Sequence, residues 1–266
     1  MTLGRVWMIG CGNMGGAMLR RWVASGVLAG DQVDVVNRAD RALPDGVRQS
    51  RDLPGGDLPA AVILAMKPQQ IDDVASRFAA RLAGVPILVS ILAGVEDSAL
   101  AARFKAQTIV RAMPNLPVAI GKGVVALDSS SRDDAVRADV VALMAPLGLV
   151  EWVDAAQFDA VTALAGSGPA FLYRFIDALA AAGVANGLPA AQAERLALAT
   201  VEGSALLAAA AEIAPGALAE QVASPGGSTR RGLDVLDDRD ALKVLLTETI
   251  AASTRRNAEM AAAARG

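Results

Sequence analysis

The chain has 266 residues, which allows one large domain or two modest ones, and its 25 basic and 28 acidic residues give a net charge of −3. This balance predicts no basic surface for nucleic acid or an anionic membrane. Histidine is absent, which excludes Ser-His and Cys-His catalytic pairs and removes the commonest metal ligand, so we expect no metal site. The single cysteine, Cys11, excludes an internal disulfide, and the opening residues lack a signal-peptide layout; both favour a cytoplasmic protein.

The composition is unusually apolar, with 53% hydrophobic residues. The longest uncharged run, 178–193, contains Asn186, Gly187 and Pro189 and is shorter than the roughly 20 apolar residues of a spanning helix. We therefore expect no membrane partner. The excess apolar surface is instead expected to be buried against protein, which favours an oligomer.

The first half of the chain predicts a regular alternation of strands and helices, because short apolar runs are separated by longer segments of helical period. Buried strands separated by helices indicate a parallel, doubly wound α/β sheet. The predicted strands are residues 5–9, 33–37, 60–66, 86–91, 108–113, 123–128 and 150–153, and the predicted helices run from the first glycine turn to Gly26 and over 69–83, 96–105 and 132–145.

Three glycines, Gly10, Gly12 and Gly15, form a G-x-G-x-x-G pattern between the first strand and the first helix. The first glycine allows the tight turn, the second lets the backbone approach a pyrophosphate, and the third lets helix and strand pack closely. Glycine turns also occur for steric reasons alone. The strand before, the helix after and a second strand about 20 residues further on favour a dinucleotide site in a Rossmann-like domain, which would include Asn13 and Met14.

The residues that end the second strand, Asn37 and Arg38, indicate which dinucleotide binds. A carboxylate at this point would accept from the ribose 2′-OH of NAD and repel a 2′-phosphate. Asn37 can donate to that phosphate, and Arg38 can form a charge-assisted, bidentate pair with it. We therefore expect NADP, with NADPH preferred and NADH possible. The alternative is a solvated arginine at a strand end.

Two further loops follow buried strands at their carboxyl ends, where ligands bind in such sheets. In the first, AMKPQ, we expect Ala65, Lys67 and Pro68 to contact the cofactor. In the second, RAMPNLP, Asn115 would face the cofactor or substrate crevice. The alternative is that either loop only terminates its strand.

Strand signals end after Asp154, so we place the domain boundary near 154–160, with a dinucleotide-binding domain in 1–154 and an all-α domain in 155–266. The segments 169–185 and 190–211 are apolar almost all round, and a helix without a polar face must be surrounded. An interleaved homodimer would enclose them. A single compact bundle is the alternative.

The loop SPGGST, residues 224–229, interrupts these helices. Successive N–H groups of Gly226, Gly227, Ser228 and Thr229, turning into the next helix, would form an anion-binding concavity that suits a small carboxylate. The competing interpretation is an ordinary proline-glycine break in which Ser228 caps the next helix.

Together these motifs resemble pyrroline-5-carboxylate reductase, a family that reduces a cyclic imino acid with NAD(P)H. The resemblance covers essentially the whole chain. Beside the Gly10–Gly15 turn, it is carried by A-x-K-P-Q at 65–69, MPN at 113–115, ALAGSGPAF at 163–171 and, above all, SPGGST followed by Gly232, Leu233 and Leu236.

The resemblance implies an N-terminal cofactor domain and a helical domain that forms an intertwined dimer, with decamers common among higher assemblies. It also implies that Thr229 meets the ring nitrogen, that Ser228 and Thr229 offer backbone N–H groups to the carboxylate, and that Glu212 lies near the substrate. This chain departs from the pattern at Ala223, where a hydroxyl is usual, and at Arg230 and Arg231, where less charge is expected.

Three other functions remain open at this point. A β-hydroxyacid dehydrogenase would need a catalytic lysine in the helix after the glycine-rich segment, where this chain has GSGPAFLYRF. An imine reductase acting on another small carboxylate would share the site. A non-enzymatic NADP sensor would bind NADPH without turnover, and the intact SPGGST loop weighs against it.

Overall fold

The computed structural model describes residues 4–265, which form two compact units. The first unit runs to Ser167 and takes up the chain again from Ser253, and the second is Gly168–Ala252. The chain passes between the units twice, and the second of these boundaries falls within the last helix, which spans Ala241–Arg265. The domain boundary after residue 154 stays a prediction.

An eight-stranded sheet forms the centre of the first unit. Its strands are β1 (Val6–Ile9), β2 (Val33–Val36), β3 (Arg48–Ser50), β4 (Ala61–Leu64), β5 (Ile87–Ser90), β6 (Thr108–Pro114), β7 (Gly123–Asp128) and β8 (Gly148–Trp152). In space they follow the order β3-β2-β1-β4-β5-β6-β7-β8. All neighbours are parallel except β6 and β7, which are antiparallel. The predicted α/β class is confirmed, but the expectation of an entirely parallel sheet is wrong at β7.

The short connection between β6 and β7 explains the reversal. It contains only a 3₁₀ turn, Leu116–Ile120, whereas a parallel crossover needs a dozen or more residues. The chain therefore folds straight back, pairing Arg111 with Asp128 across the two strands.

Strand β3 was not predicted, because its sequence RQS has no apolar residue. It pairs with β2 at the edge of the sheet, where both end residues are exposed. Arg48 forms an ion pair of 2.5 Å with Asp34 of β2, whose side chain is largely buried.

Helices cover both faces of the sheet. Because side chains alternate along a strand, Met8 of β1 belongs to a core cluster with Trp22, and the neighbouring Trp7 belongs to a second cluster with Phe78. Trp22 lies in the first helix, α1 (Asn13–Ser25), and Phe78 lies in the second, α2 (Ile71–Leu82), so these two helices cover opposite faces of the sheet. The helices of this unit before Ser167 are α1 (Asn13–Ser25), α2 (Ile71–Leu82), α3 (Asp97–Arg103), α4 (Asp134–Met144) and α5 (Phe158–Val161).

The second unit is helical, as predicted, and exposes much apolar surface. Its buried cluster contains only small side chains, Ala180, Ala193 and Ala197. Helix faces this apolar must be covered by protein. The helices are α6 (Gly168–Ala185), α7 (Ala190–Ala210), α8 (Pro215–Gln221), α9 (Ser228–Asp237) and α10 (Ala241–Arg265), and their exposed large side chains include Leu172, Tyr173, Phe175, Leu196, Leu198, Leu206, Leu207, Val244, Leu245 and Leu246.

Within residues 4–265, no single helix is both long and apolar enough to cross a membrane. The helices Ala190–Ala210 and Pro215–Gln221 pass such a test only as a pair, and they are bent by 114° relative to each other.

The connection between α9 and α10 holds two consecutive non-glycine residues with positive φ, Arg239 at 52° and Asp240 at 57°. A Cβ in the left-handed region crowds the following carbonyl oxygen. This crowding costs free energy. The ion pair of Arg239 with Asp238 is exposed on both sides, so it offsets little of that free-energy cost.

Replacing Arg239 with glycine is therefore expected to raise the free energy of unfolding by about 0.5–1 kcal/mol. Arg239→Ala removes the same charge but keeps the Cβ, so it serves as the matched control and is expected to give no gain. Urea unfolding at a fixed protomer concentration measures both. Equal stability of the two variants would show that this backbone is not strained.

Candidate active site

The glycine turn after β1 lies at the switch point of the sheet, between β1 and β4. Gly10 has φ of 86° and donates to Val36 O at 2.8 Å. A Cβ at Gly10 would lie 2.7 Å from Met66 N, so only glycine fits there. A Cβ at Gly15 would lie 3.0 Å from the Cβ of Ala65, which shows how closely helix α1 packs on the end of β4.

Gly12 differs from both of these glycines. Its φ of −76° and ψ of −160° lie in the extended region, which any residue can adopt, and within residues 4–265 no atom beyond its own chain neighbours lies within 4 Å of a Cβ placed on it. The fold therefore does not require glycine here. A glycine at this position leaves room for a ligand to approach closely from the open side, as a pyrophosphate would; the contact of Gly12 with a cofactor stays a prediction.

Helix α1 begins directly at this open side. Its N-cap is Gly12, which has no side chain to occupy the first N–H groups. Gly16 N makes the first intrahelical bond, to Gly12 O at 2.8 Å, so the N–H groups of residues 13–15 are available to an anion. The arrangement fits the pyrophosphate of a dinucleotide.

A pocket of about 530 Å³ opens above the glycine turn, a volume within the range of small-ligand sites. Pro68 and Asn115 are not among the residues that line it. Most of the predicted cofactor residues do line it: Gly10, Gly12, Asn13, Met14, Gly15, Asn37, Arg38, Ala65 and Lys67.

One end of the pocket is rich in arginine. Beside Arg38, it is lined by Arg41, Arg51 and Arg77, which the sequence analysis did not single out. Arg51 follows the unpredicted strand β3, and Arg77 lies within α2, so only the tertiary fold brings them to this end of the pocket. Arg38 pairs with Asp73 at 2.9 Å, with both side chains more than half exposed.

Asn115 has a different environment. It is buried, its side-chain amide donates to Ala165 O at 3.0 Å, and its carbonyl accepts from Val124 N at 2.8 Å. Asn115 therefore ties the end of β6 to β7 and to a π-helical turn, Thr162–Gly166. Its contact with a cofactor stays a prediction.

Burial raises the pKa of two ionisable groups in the first unit. Desolvation raises the pKa of the Cys11 thiol despite the nearby Arg20 and Arg41, which keeps Cys11 protonated at neutral pH. Desolvation also raises the pKa of Asp97, against a hydrogen bond from Ser130. Asp97 does not line the pocket.

The SPGGST loop in the second unit forms a similar turn. Gly226 has φ of 72°, and Gly227 N donates to Ser224 O at 2.9 Å. The N-cap of α9 is Gly227, so the alternative in which Ser228 caps the helix is wrong. Ser228 and Thr229 are exposed in the first turn of α9, and their N–H groups face outward from the helix end.

The structure thus brings Gly226, Gly227, Ser228 and Thr229 together in one turn. Glu212 lies apart from this turn in the sequence, in the exposed connection between α7 and α8. The roles of all five residues stay predictions.

A sheet with a glycine turn at its switch point, an open helix N-terminus and a pocket above both defines a dinucleotide-binding protein. Residues 5–94 match the family model described as NADP oxidoreductase, coenzyme F420-dependent, and residues 155–260 match pyrroline-5-carboxylate reductase dimerisation. The chain belongs to the pyrroline-5-carboxylate reductase family, as its motifs predicted.

The relatives cover nearly the whole chain. A pyrroline-5-carboxylate reductase of Synechocystis is 34% identical, over 95% of this chain and 97% of its own length. The pyrroline-5-carboxylate reductase of Thermus thermophilus is 36% identical, over 96% of this chain and 98% of its own length. A solved pyrroline-5-carboxylate reductase from Coxiella burnetii is 30% identical and superposes with a TM-score of 0.88, covering 98% of this chain and 99% of that one.

Proposed function

We propose that this protein reduces 1-pyrroline-5-carboxylate to L-proline with NAD(P)H, the last step of proline synthesis. The observation that carries the proposal is the glycine-capped turn from Gly226 to Thr229. Its outward N–H groups suit the carboxylate of a small imino acid. Family membership and the dinucleotide pocket support the same reaction.

The chemistry suits a chain without histidine. The carbon of a protonated imine is already electrophilic, and NAD(P)H supplies the hydride that it accepts. The protein's main task is then to place the substrate, which can supply much of the barrier reduction. In this proposal the backbone N–H groups of Ser228 and Thr229 hold the substrate's carboxylate. The Thr229 hydroxyl forms a hydrogen bond with the ring nitrogen. The proton comes from solvent or with the substrate.

NADPH is the preferred cofactor in this proposal, and NADH is accepted. Asn37 and Arg38 stand where NAD-specific sites carry a carboxylate, and three more arginines line the same end of the pocket. Both side chains of the ion pair between Arg38 and Asp73 are exposed, so this pair contributes little free energy. A phosphate can therefore replace Asp73 as the partner of Arg38.

The apolar side chains exposed on the helices of the second unit favour an oligomer of this chain. We propose that α6, α7 and α10 of two chains interleave in a homodimer, and that such dimers associate further, up to a decamer. This would cover the apolar side chains that a single chain exposes. A cytoplasmic location belongs to the same proposal, since the single cysteine excludes an internal disulfide.

Cofactor oxidation with 1-pyrroline-5-carboxylate tests the function directly. We expect turnover with NADPH, slower turnover with NADH, and proline as the product. Absence of turnover with either cofactor, despite NADPH binding, would favour the non-enzymatic sensor instead. A kcat/KM that favours NADH would overturn only the roles of Asn37 and Arg38.

A further inference from the structure

Arg230 joins the two helices that flank the SPGGST loop. It lies in the first turn of α9, and its Nη1 contacts both carboxylate oxygens of Glu220 in α8 at 3.0 Å. Its Nε contacts Asp234 Oδ1 at 2.9 Å, and its Nη2 contacts Asp237 Oδ2 at 3.2 Å. One guanidinium therefore holds carboxylates from the helix before the loop and from the helix after it.

We propose that Arg230 is a positioning residue for the substrate loop, residues 222–227, an inference that rests on the proposed function. It clamps the end of α8 to the start of α9, and so fixes the turn that presents Ser228 and Thr229.

The loop has few other restraints. Ala223 is buried and donates to Glu220 O at 3.2 Å, and Gly227 donates to Ser224 O at 2.9 Å. The residues between them, 224–226, are exposed. Glycines lose the most conformational freedom on ordering, so a loop with two adjacent glycines depends on how firmly its ends are held.

The clamp also has an electrostatic role. Three carboxylates, Glu220, Asp234 and Asp237, surround Arg230, beside a turn proposed to bind an anionic substrate. Arg230 offsets part of this negative charge. Without it, the carboxylates would repel the substrate's carboxylate, an effect that salt would weaken.

The next residue, Arg231, is a matched control. It carries the same charge, but its side chain is 81% exposed and it reaches only Asp234, at 3.6 Å. Arg231→Met and Arg230→Met change the net charge equally, yet only the second removes the link to α8. The difference between the two variants therefore separates the contacts of Arg230 from the loss of one positive charge.

The experiment compares full-length wild type, Arg230→Met, Arg231→Met and Arg230→Lys by steady-state kinetics and by hydrogen exchange. For Arg230→Met we expect the KM for 1-pyrroline-5-carboxylate to rise about three- to tenfold at low ionic strength, with kcat within about twofold. The KM for NADPH should not change. Exchange should become faster in residues 222–229. Arg231→Met should match wild type in each measurement.

Arg230→Lys tests the geometry of the clamp. A compact ammonium on a flexible stem cannot form hydrogen bonds with three carboxylates as a planar guanidinium does. We therefore expect the KM and the hydrogen-exchange rate of Arg230→Lys to lie between those of wild type and Arg230→Met. Glu220→Gln, which removes one partner and keeps Arg230, is expected to raise exchange less than Arg230→Met does.

Exchange in residues 222–229 that stays at the wild-type rate in Arg230→Met would overturn the inference, as would equal effects of the two methionine variants. The exchange measurement needs no turnover. It therefore decides on the clamp even if the wild-type protein fails to reduce 1-pyrroline-5-carboxylate, a result that would refute the proposed function alone.

Discussion

Replacing Gly12 with valine is expected to weaken NADPH binding at least about 100-fold while leaving the fold intact. The backbone of Gly12 is extended, and within residues 4–265 no atom beyond its chain neighbours lies within 4 Å of a Cβ placed on it. Gly12 is exposed, but it is the N-cap of α1, where valine is less favourable than glycine, so we expect the free energy of unfolding to fall by only about 0.5–1 kcal/mol. The valine would fill the space that a pyrophosphate needs beside the helix N-terminus.

The expected loss of affinity is large, because the N–H groups of residues 13–15 would no longer reach the anion. Charge-assisted hydrogen bonds contribute roughly 1.5–3 kcal/mol each, so losing two predicts a dissociation constant at least about 100-fold higher. Calorimetric titration with NADPH measures the affinity, and thermal unfolding measures the stability.

Two other glycines make the result interpretable. Gly55 is exposed in a loop that does not line the pocket, and within residues 4–265 no atom beyond its chain neighbours lies within 4 Å of its Cβ position. Gly55→Val should therefore leave both affinity and stability unchanged. Gly10→Ala should lower stability, because its Cβ would meet the backbone of Met66 at 2.7 Å. If Gly12→Val bound NADPH as tightly as wild type, the cofactor would not lie on this turn.

The sequence predicted the central strands well because they are buried on both faces. Val33–Val36 and Ala61–Leu64 are apolar enough to stand out, with Asp34 as the only polar residue. The edge strand Arg48–Ser50 gives no such signal, since it has no apolar residue and both of its end residues are exposed. The antiparallel direction of β7 had a signal that was not used: no helical segment separates it from β6.

The glycine turns were predictable because their constraints are local. The arginines at the end of the pocket were not, since Arg41, Arg51 and Arg77 come from different elements that only the tertiary fold brings together. Arg230 and Arg231 illustrate the same limit. They are identical neighbours in sequence, but one is enclosed by three carboxylates and the other is exposed.

Replacing Thr229 with valine is expected to lower kcat/KM for 1-pyrroline-5-carboxylate by about 5- to 150-fold, or roughly 1–3 kcal/mol of transition-state binding. The substitution removes one hydroxyl and keeps the side-chain volume. Thr229 is exposed in the first turn of α9, and threonine and valine have similar helix propensities. Stability is therefore expected to stay within about 0.5 kcal/mol of wild type.

Ser228→Ala is the matched control for this variant. In the proposed site Ser228 contributes its backbone N–H, which alanine retains, so kcat/KM should fall much less than in Thr229→Val. NADPH affinity should be unchanged in both variants, because the glycine turn of the first unit is untouched. Wild-type kinetics in Thr229→Val would remove its hydroxyl from the reaction. A loss shared equally by Ser228→Ala would instead assign the effect to the turn as a whole, since only the Thr229 hydroxyl is proposed to meet the ring nitrogen.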